Sequence, residues 1–207
     1  MMLEPSDSSE CKEFTKKAFS LSEEYDTPVF IRLSTRVSHS QSLVELQEPE
    51  NVVLKPYEKN IPKHVMMPAM AKGRHVVVEE RTLKLKALAE NCEFNTVENN
   101  GSKIGVIAAG TTYVYAKDAL GDKADFLKLG MVYPLPEKLI RDFADAHDEL
   151  WVIEELDPVI ENHVKALGIK CKGKENFTLL GEYSQNMIKK AVLGIETEAV
   201  ADPIIPN

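Results

Sequence analysis

The sequence predicts an α/β protein in which helices cover both faces of a mostly parallel sheet, giving three layers. Apolar runs typical of buried strands lie at residues 103–109, 125–129 and 150–153. A helical pattern follows each of these runs after a short connection. Strands that alternate with helices in this way favour a parallel sheet, because the helices form the crossover connections.

A partial α/β unit precedes this sheet. Residues 7–25 carry apolar side chains at steps of three and four, and Asp7 followed by Glu10 is compatible with a helix start. Residues 29–33 (VFIRL) have the pattern of a buried strand, and a polar segment follows at 34–40. One helix and one strand cannot bury their own apolar face, so the chain begins as though an earlier part of a sheet were missing.

The middle of the chain has a different character. Residues 47–70 are linker-like because four prolines interrupt a polar stretch. A charged amphipathic helix is predicted over 71–93, with an apolar stripe formed by Val78, Leu85, Leu88 and Cys92. We expect the acidic, then proline-rich tail at 196–207 to be loose.

Local signals predict where the helices of the main sheet begin. Small polar residues commonly cap a helix, and proline is favoured in its first turn. The expected caps or first residues of the four helices are, in order, Thr111, Pro136, Asp157 with Pro158, and Ser184. An edge strand is also possible near 168–171.

Composition limits the classes of function. The 207 residues are 43% hydrophobic and 28% charged, which is ordinary for a globular protein. The net charge of −8 disfavours nucleic-acid binding, because an acidic surface repels the phosphate backbone. No apolar run approaches the ~18 residues of a membrane span, and the first residues lack a signal-peptide pattern. We therefore expect a soluble cytoplasmic protein with neither a membrane nor a nucleic acid as partner.

Several common catalytic and cofactor-binding motifs are absent. Gly105 and Gly110 have the outer spacing of a Walker loop, but Thr111 replaces the essential lysine. Gly121-Asp122 lacks the downstream asparagine of a thiamine-diphosphate magnesium motif. Three cysteines are too scattered for a disulfide framework or a metal cluster: Cys11, Cys92 and Cys171. We therefore predict no metal site, no catalytic residue and no cofactor bound by this chain alone.

One group of candidate site residues follows the first predicted strand. Ligand sites of open α/β sheets collect beyond the carboxyl ends of strands, where Arg36, Ser38 and His39 are expected. Arg36 and His39 could hold a substrate carboxylate or phosphate. The alternative is a polar loop that leaves a strand and binds nothing.

Further candidates follow the later strands. The carboxylates of Glu154, Glu155 and Asp157 could perform acid–base chemistry or bind a metal. Alternatively, Asp157 caps the next helix and the two glutamates face solvent or an interface. The apolar loop at 131–136 (MVYPLP) could contact a neighbouring domain or belong to the core. Together these segments give five interface candidates: Tyr133, Pro134, Glu154, Glu155 and Asp157.

Several of these motifs carry a family likeness. The segments 3–8 (LEPSDS) and 35–40 (TRVSHS), with the helix between them, resemble the end of the pyrimidine-binding domain of indolepyruvate ferredoxin oxidoreductase α subunits. The following domain of that subunit is similar to the C-terminal domain of transketolase. Four further segments resemble it: 105–110, 127–136 (LKLGMVYPLP), 151–158 (WVIEELDP) and 179–184 (LLGEYS).

The resemblance implies a parent enzyme that oxidatively decarboxylates aryl 2-oxoacids such as indolepyruvate and passes electrons to ferredoxin. It implies thiamine diphosphate, magnesium, iron–sulfur clusters and coenzyme A as the parent's cofactors. The implied partners are the rest of the α subunit, a β subunit and ferredoxin, with a homodimer also possible. It places Arg36, Ser38 and His39 near the substrate channel. The activating glutamate, the diphosphate-binding domain and the cluster cysteines are missing from this sequence, so we expect the chain alone to be inactive.

The predicted domain organisation has four parts. Residues 1–46 end a pyrimidine-binding-like domain, and 47–95 form a linker and a charged helix. Residues 96–195 form a transketolase C-terminal-like domain, followed by a flexible tail at 196–207. The alternative to a part of a larger subunit is a free-standing α/β module that binds a protein or a small ligand.

Overall fold

The protein was analysed as a computed structural model that describes residues 1–49 and 56–196. Its centre is a four-stranded sheet with strand order β3-β5-β4-β7. The strands are β3 (Asn95–Glu98), β4 (Ile104–Ala109), β5 (Asp125–Leu129) and β7 (Glu149–Ile153). β4 pairs in parallel with β5 and β7, whereas β3 is antiparallel to β5. The sheet is therefore mostly parallel, as the alternating pattern predicted.

Helices cover both faces of this sheet, because its buried strands carry apolar side chains on both sides. α5 (Gly110–Leu120) and α8 (Gln185–Leu193) lie on one face, over a core that includes Val106, Phe126, Trp151 and Ile188. α6 (Glu137–Asp145) and α7 (Val159–Ala166) lie on the other, over Ile107, Leu127, Val152, Ile140 and Val164. The three-layer fold class is confirmed.

A second, smaller sheet joins the front of the chain to this domain. Its strands are β1 (Met2–Leu3), β2 (Phe30–Ile31) and β6 (Met131–Tyr133), in the order β2-β1-β6. β1 is parallel to β2 and antiparallel to β6. α1 (Ser8–Tyr25) and α4 (Pro68–Ala89) cover it, and a third core combines Leu3, Phe14, Leu85, Phe94 and Met131. The front segment therefore packs onto the later part of the chain.

Gly130 connects the two sheets between β5 and β6. Its N–H donates to the carbonyl of Phe94 and to the side-chain oxygen of Asn95, both at 3.1 Å. Its own carbonyl accepts from the backbone N–H of Glu4 at 2.8 Å. A Cβ at this position would lie 2.3 Å from the Phe94 carbonyl oxygen, so only glycine fits without movement of the backbone.

The remaining described elements are two short α-helices, α2 (Thr35–His39) and α3 (Ile61–His64), and two 3₁₀ helices at Gly121–Lys123 and Lys174–Asn176. The polar segment at 34–40, for which a loop was one interpretation, forms the helix Thr35–His39, and the hydroxyl of its N-cap residue Ser34 accepts from the Val37 N–H at 3.3 Å. Val37 is buried, which ties this turn to the body of the protein. Positions 50–55 of the predicted linker and 197–207 of the predicted tail lie outside the described residues.

The helix starts agree only partly with their predictions. Asp7 caps α1 and Ser184 caps α8, as the sequence indicated. Thr111 does not cap α5: this helix begins at Gly110, and the neighbouring Thr112 hydroxyl donates to the Ala109 carbonyl at 2.6 Å. The possible edge strand near 168–171 is reduced to an isolated bridge between Trp151 and Lys172.

A buried polar network lies at the edge of the main sheet where the parallel strands β4 and β5 begin. Asp125 accepts from the backbone N–H groups of Asn100 and Ser102, at 2.8 and 3.0 Å. Its second oxygen lies 3.1 Å from Nε2 of His147, whose Nδ1 lies 2.6 Å from the Phe143 carbonyl. Both ring nitrogens of His147 therefore face acceptors, and the network holds the starts of β4 and β5 together.

Candidate functional site

The candidate site lies at the carboxyl edge of the main sheet, between β4 and β7. β4 leads into α5 on one face of the sheet, and β7 leads towards α7 on the other face. Neighbouring parallel strands whose connections leave to opposite faces create a crevice, which is the usual ligand position in open α/β sheets. A cavity of about 450 Å³ occupies this crevice.

Both parts of the chain line the cavity. The front segment contributes Met2, Glu4, Arg32 and Ser34. Strand β6 of the small sheet contributes Val132 and Tyr133. The main sheet, with its loops and helices, contributes Ala109, Thr111, Thr112, Glu154, Glu155, Leu156, Asp157, Val159 and Ile160. The site therefore depends on the packing of the small sheet against the large one.

Glu4 and Arg32 form an ion pair on the front wall. Arg32 Nη1 donates to Glu4 Oε1 at 2.6 Å, and Glu4 is buried. The Glu4 carboxylate also lies against Gly110, the first residue of α5, where a Cβ would come within 2.6 Å of Oε1. Gly110 has a φ of +51°, so both its conformation and this close approach favour glycine.

Glu154, directly after β7, caps the amino terminus of α7 although it lies several residues before that helix in the sequence. Its carboxylate accepts from the N–H groups of Ile160 and Glu161, at 2.9 and 2.8 Å. Burial has the largest effect on the Glu154 carboxyl and raises its pKa, although these two hydrogen bonds act in the opposite direction. The prediction that Asp157 caps this helix is wrong. Pro158 is the N-cap residue of α7, and no side-chain hydrogen bond is made from that position. Asp157 is exposed.

Polar contacts behind the cavity wall hold Glu154 and Glu155 in place. Lys174 Nζ donates to the Glu154 carbonyl at 2.5 Å and lies 2.7 Å from the Tyr183 hydroxyl. Burial lowers the pKa of Lys174 and raises that of Tyr183 to about 12. The Tyr183 N–H donates to Glu155 Oε1 at 2.7 Å, which holds Glu155 at the cavity wall.

The structure places Arg36, Ser38 and His39 beside the cavity rather than in its wall. The Arg36 guanidinium pairs with Glu182, with Nε 2.7 Å from Oε2, and its side chain is exposed. The Ser38 hydroxyl donates to the Ser34 carbonyl at 3.1 Å, and His39 is exposed on the same short helix. A role for these three residues in a substrate channel stays a prediction.

The five interface candidates are only partly brought together. Tyr133, Glu154, Glu155 and Asp157 all line the cavity, whereas Pro134 is buried beside it and is not part of the lining. Tyr133 is 60% exposed. Glu154 is buried and bound to α7, so its side chain is engaged within the fold. An interface role for this set also stays a prediction.

Sequence patterns missed three features of the cavity. Glu4 and Arg32 lie far apart in the chain and meet through β1 and β2. Thr111 was expected to be a cap, but it is a buried wall residue. Leu156 has a φ of +59°, a conformation that is costly for a branched side chain, and is 54% exposed. Pro158 ends the acidic segment at 154–158, directly after a strand, and such a proline is a local signal for an irregular connection.

Within residues 1–49 and 56–196, no cluster of three or more histidine, cysteine, aspartate or glutamate side chains is arranged to hold a metal ion. In the same ranges, the helices are all too short or too polar to cross a lipid bilayer.

Comparison with known proteins gives a consistent result. The chain is 36% identical to indolepyruvate oxidoreductase subunit IorA of Methanothermobacter thermautotrophicus, over 94% of this chain and 34% of that subunit. It is 34% identical to IorA of Archaeoglobus fulgidus, over 90% of this chain and 31% of the relative. The chain thus spans about a third of the length of these curated relatives. No protein-family model matches the sequence.

The fold comparison agrees with the sequence comparison. A 2-oxoglutarate:ferredoxin oxidoreductase from Magnetococcus marinus matches 93% of this chain and 41% of its own, with a TM-score of 0.64 and 17% identity. The chain is therefore a relative of the IorA subunits of indolepyruvate oxidoreductases, which it matches over about one third of their length.

Proposed function

We propose that this chain is the part of an indolepyruvate ferredoxin oxidoreductase α subunit that supplies structural and interface surface and is not catalytic by itself. The observation that carries the proposal is the extent of the homology, which includes 94% of this chain but only 34% of an IorA subunit. The remaining two thirds of the relatives then hold the other functional parts of the subunit.

Exposed apolar side chains on the front segment support an interface role. Phe19 is 73% exposed, Phe30 63% and Leu33 47%. β2 pairs with β1 on one side, and no other described strand pairs with its second edge. Open strand edges and exposed apolar patches are characteristic of surfaces that another segment covers. We propose that the rest of the α subunit completes this small sheet.

The cofactors follow from the same proposal. Thiamine diphosphate, magnesium, coenzyme A and the iron–sulfur clusters are held by other parts of the complex, and this chain binds none of them alone. Its partners are the rest of the α subunit, a β subunit and, through the complex, ferredoxin in the cytoplasm. Arg36, Ser38 and His39, on the exposed helix α2 next to the cavity, would face the substrate channel in the assembled enzyme.

Coexpression tests this assignment. The chain would be produced together with the flanking segments and the β subunit of an IorA relative, and copurification would be measured. We expect a stable complex, and indolepyruvate-dependent ferredoxin reduction only when all parts are present. The double variant Phe19→Asp/Phe30→Asp should lose copurification, because it places charges on the covered patch.

Leu46→Asp is the control for that variant, because Leu46 is exposed, at 95%, but belongs neither to α1 nor to the open edge strand β2. It should leave copurification unchanged. A chain that reduces ferredoxin unaided, or that remains apart from every IorA segment, would contradict the proposal. The cavity favours a second candidate function, the binding of a small ligand, which the next subsection develops.

A further inference from the structure

The cavity between β4 and β7 has an unbalanced charge. Four carboxylate residues line it, Glu4, Glu154, Glu155 and Asp157, against the single guanidinium of Arg32. That guanidinium is already paired with Glu4 at 2.6 Å. Lys174 interacts electrostatically with Glu154, Glu155 and Asp157, and Arg36 interacts with Glu155, but neither cation lines the cavity. Among the lining groups, an anionic ligand would meet four carboxylates and one guanidinium that is already paired, which is electrostatically unfavourable.

The helix starts do not reverse this preference. The amino terminus of a helix attracts anions through its free N–H groups. At α7, the Glu154 carboxylate already accepts from two of these groups. At α5, the Glu4 carboxylate lies against Gly110, the first helical residue. The amino termini of α5 and α7, which border the cavity, therefore each have a carboxylate of the protein next to them.

Three groups on the wall have unused hydrogen-bonding capacity. Glu155 accepts from the Tyr183 N–H with one oxygen, and no bond to its other oxygen is seen within the described ranges. Asp157 is exposed at the rim, and no side-chain bond to it is seen there either. Thr111 lines the cavity wall with 9% of its surface exposed, and no hydrogen bond of its hydroxyl is seen among the described residues. The hydroxyl is not one of the fully enclosed polar atoms without a partner, so it opens into the cavity and can bind a ligand.

Apolar side chains supply the rest of the wall: Met2, Val132, Tyr133, Leu156, Val159 and Ile160. The volume of about 450 Å³ lies within the range of small-molecule pockets, roughly 300–1,000 Å³. The aromatic ring of Tyr133 is also a surface that attracts cations.

We infer that this cavity is a binding site for a small organic cation, a protonated amine on an aromatic body, and that it rejects aryl carboxylates of the same size. Glu155 and Asp157 receive the ammonium group, the Thr111 hydroxyl accepts one of its hydrogens, and the apolar wall receives the ring. The site is thus distinct in its charge preference from a site for an aryl 2-oxoacid, and it does not depend on the assignment proposed above.

A matched series of ligands tests the charge preference on the intact chain. Phenethylamine carries the expected cation, 3-phenylpropanoate an anion and 2-phenylethanol a neutral group on similar bodies. We expect phenethylamine to bind with a dissociation constant of about 1 mM or tighter in calorimetry, and to raise the melting temperature. The carboxylate should not bind, and added salt should weaken the binding of the amine.

A fourth ligand distinguishes a small molecule from a lysine of a neighbouring segment. n-Butylamine reproduces a lysine side chain without an aromatic body and should bind at least about tenfold more weakly than phenethylamine, because it buries less apolar surface. Equal binding of the two amines would overturn the small-molecule assignment. Equal binding of phenethylamine and 3-phenylpropanoate, or no binding of the amine at millimolar concentration, would overturn the site itself.

Variants locate the binding. Glu155→Gln/Asp157→Asn should weaken phenethylamine binding by about tenfold or more, and Thr111→Val by a smaller factor of roughly three to ten. Asp118→Asn/Asp122→Asn is the matched control, because it also removes two carboxylates, both exposed and located towards the other end of α5. An equal effect of this control would mean that only net charge is sensed and would overturn the site. Each variant's circular dichroism is compared with that of the parent, and the ligand series on the unaltered chain decides the question if a variant unfolds.

Discussion

Two buried carboxylates show how position in the fold sets the behaviour of the same functional group. At Asp125, burial alone would raise the pKa, but hydrogen bonds from Ser102, Asn100 and His147 outweigh it and the pKa is lowered. At Glu154, burial outweighs two backbone hydrogen bonds and the pKa is raised. The two residues should therefore give folding stability opposite dependences on pH.

Asp125→Asn should destabilise the fold by about 3 kcal/mol, because it weakens three hydrogen bonds to a buried carboxylate. The lowered pKa means that this contribution is present above the usual value of about 3.9 and is lost as the pH falls through the folded-state value. Urea denaturation at a series of pH values measures it, and the variant should converge on the parent in acid.

The neighbouring Asp148→Asn is the control for Asp125. Asp148 pairs with Lys103 at 2.9 Å, but the two side chains are 71% and 85% exposed. Solvent screens such an exposed pair, so it contributes little to stability. If Asp125→Asn and Asp148→Asn lost the same free energy of unfolding, the buried network would contribute no more to stability than an exposed ion pair.

Glu154→Ala should cost about 2 kcal/mol, because two N–H groups at the start of α7 lose their acceptor. Glu154→Gln keeps an acceptor oxygen and should cost less. Because the pKa is raised, the contribution of Glu154 is fully present below about pH 4.3 and is lost as the pH rises through the folded-state pKa. The Gln variant should therefore show a flatter stability profile across that window, whereas a profile unchanged from the parent would contradict the burial argument.

At the scale of elements, the sequence predicted those parts whose signals are local. The strands β4, β5 and β7 are apolar runs, and Asp7 and Ser184 bond to N–H groups within their own turns. β1 and β6 were not predicted, since two or three residues carry no periodicity and their pairing joins distant parts of the chain. The cap of α7 was misassigned for the same reason: the nearby Asp157 looked suitable, but the acceptor comes from the end of β7.

The candidate site shows the same limit. The carboxylates after β7 were recognised because they follow a strand, and the structure places them around the cavity. Glu4 and Arg32 were not recognised as site residues, because no pattern in a single sequence shows that they meet across β1 and β2.

Gly130→Ala tests the connection between the two sheets. The added methyl would lie 2.3 Å from the Phe94 carbonyl oxygen and 3.0 Å from the Phe14 ring, so the backbone must move. We expect a loss of about 2–4 kcal/mol in the free energy of unfolding, measured by chemical denaturation.

Gly73→Ala is the matched control for Gly130. Gly73 lies on the exposed side of α4, and a Cβ there meets no atom within 4 Å. This change should stabilise the fold by about 0.5–1 kcal/mol, because alanine loses less backbone freedom in a helix. A Gly130→Ala variant as stable as the parent would mean that the sheets are joined less tightly than the contacts indicate.

At the scale of the whole molecule, the two cores of the main sheet contain no residue of the front segment. Deleting residues 1–45 should therefore leave the three-layer unit folded by circular dichroism. It removes Leu3 and Phe14 from the third core and exposes Phe94 and Met131, so light scattering should detect self-association. An unfolded truncated chain would show instead that the front segment is integral to the main sheet.

The pairing of β1 with β6 also sets the order of events during synthesis. Leu3 is translated before its partner Met131, by roughly ten seconds at the usual rates of about 5–20 residues per second. Throughout that interval the nascent α1 and β2 have apolar faces without the strand that anchors them. The front of this chain therefore keeps apolar surface exposed until β6 has been translated, and its final docking marks the completion of translation through β6 rather than its own emergence.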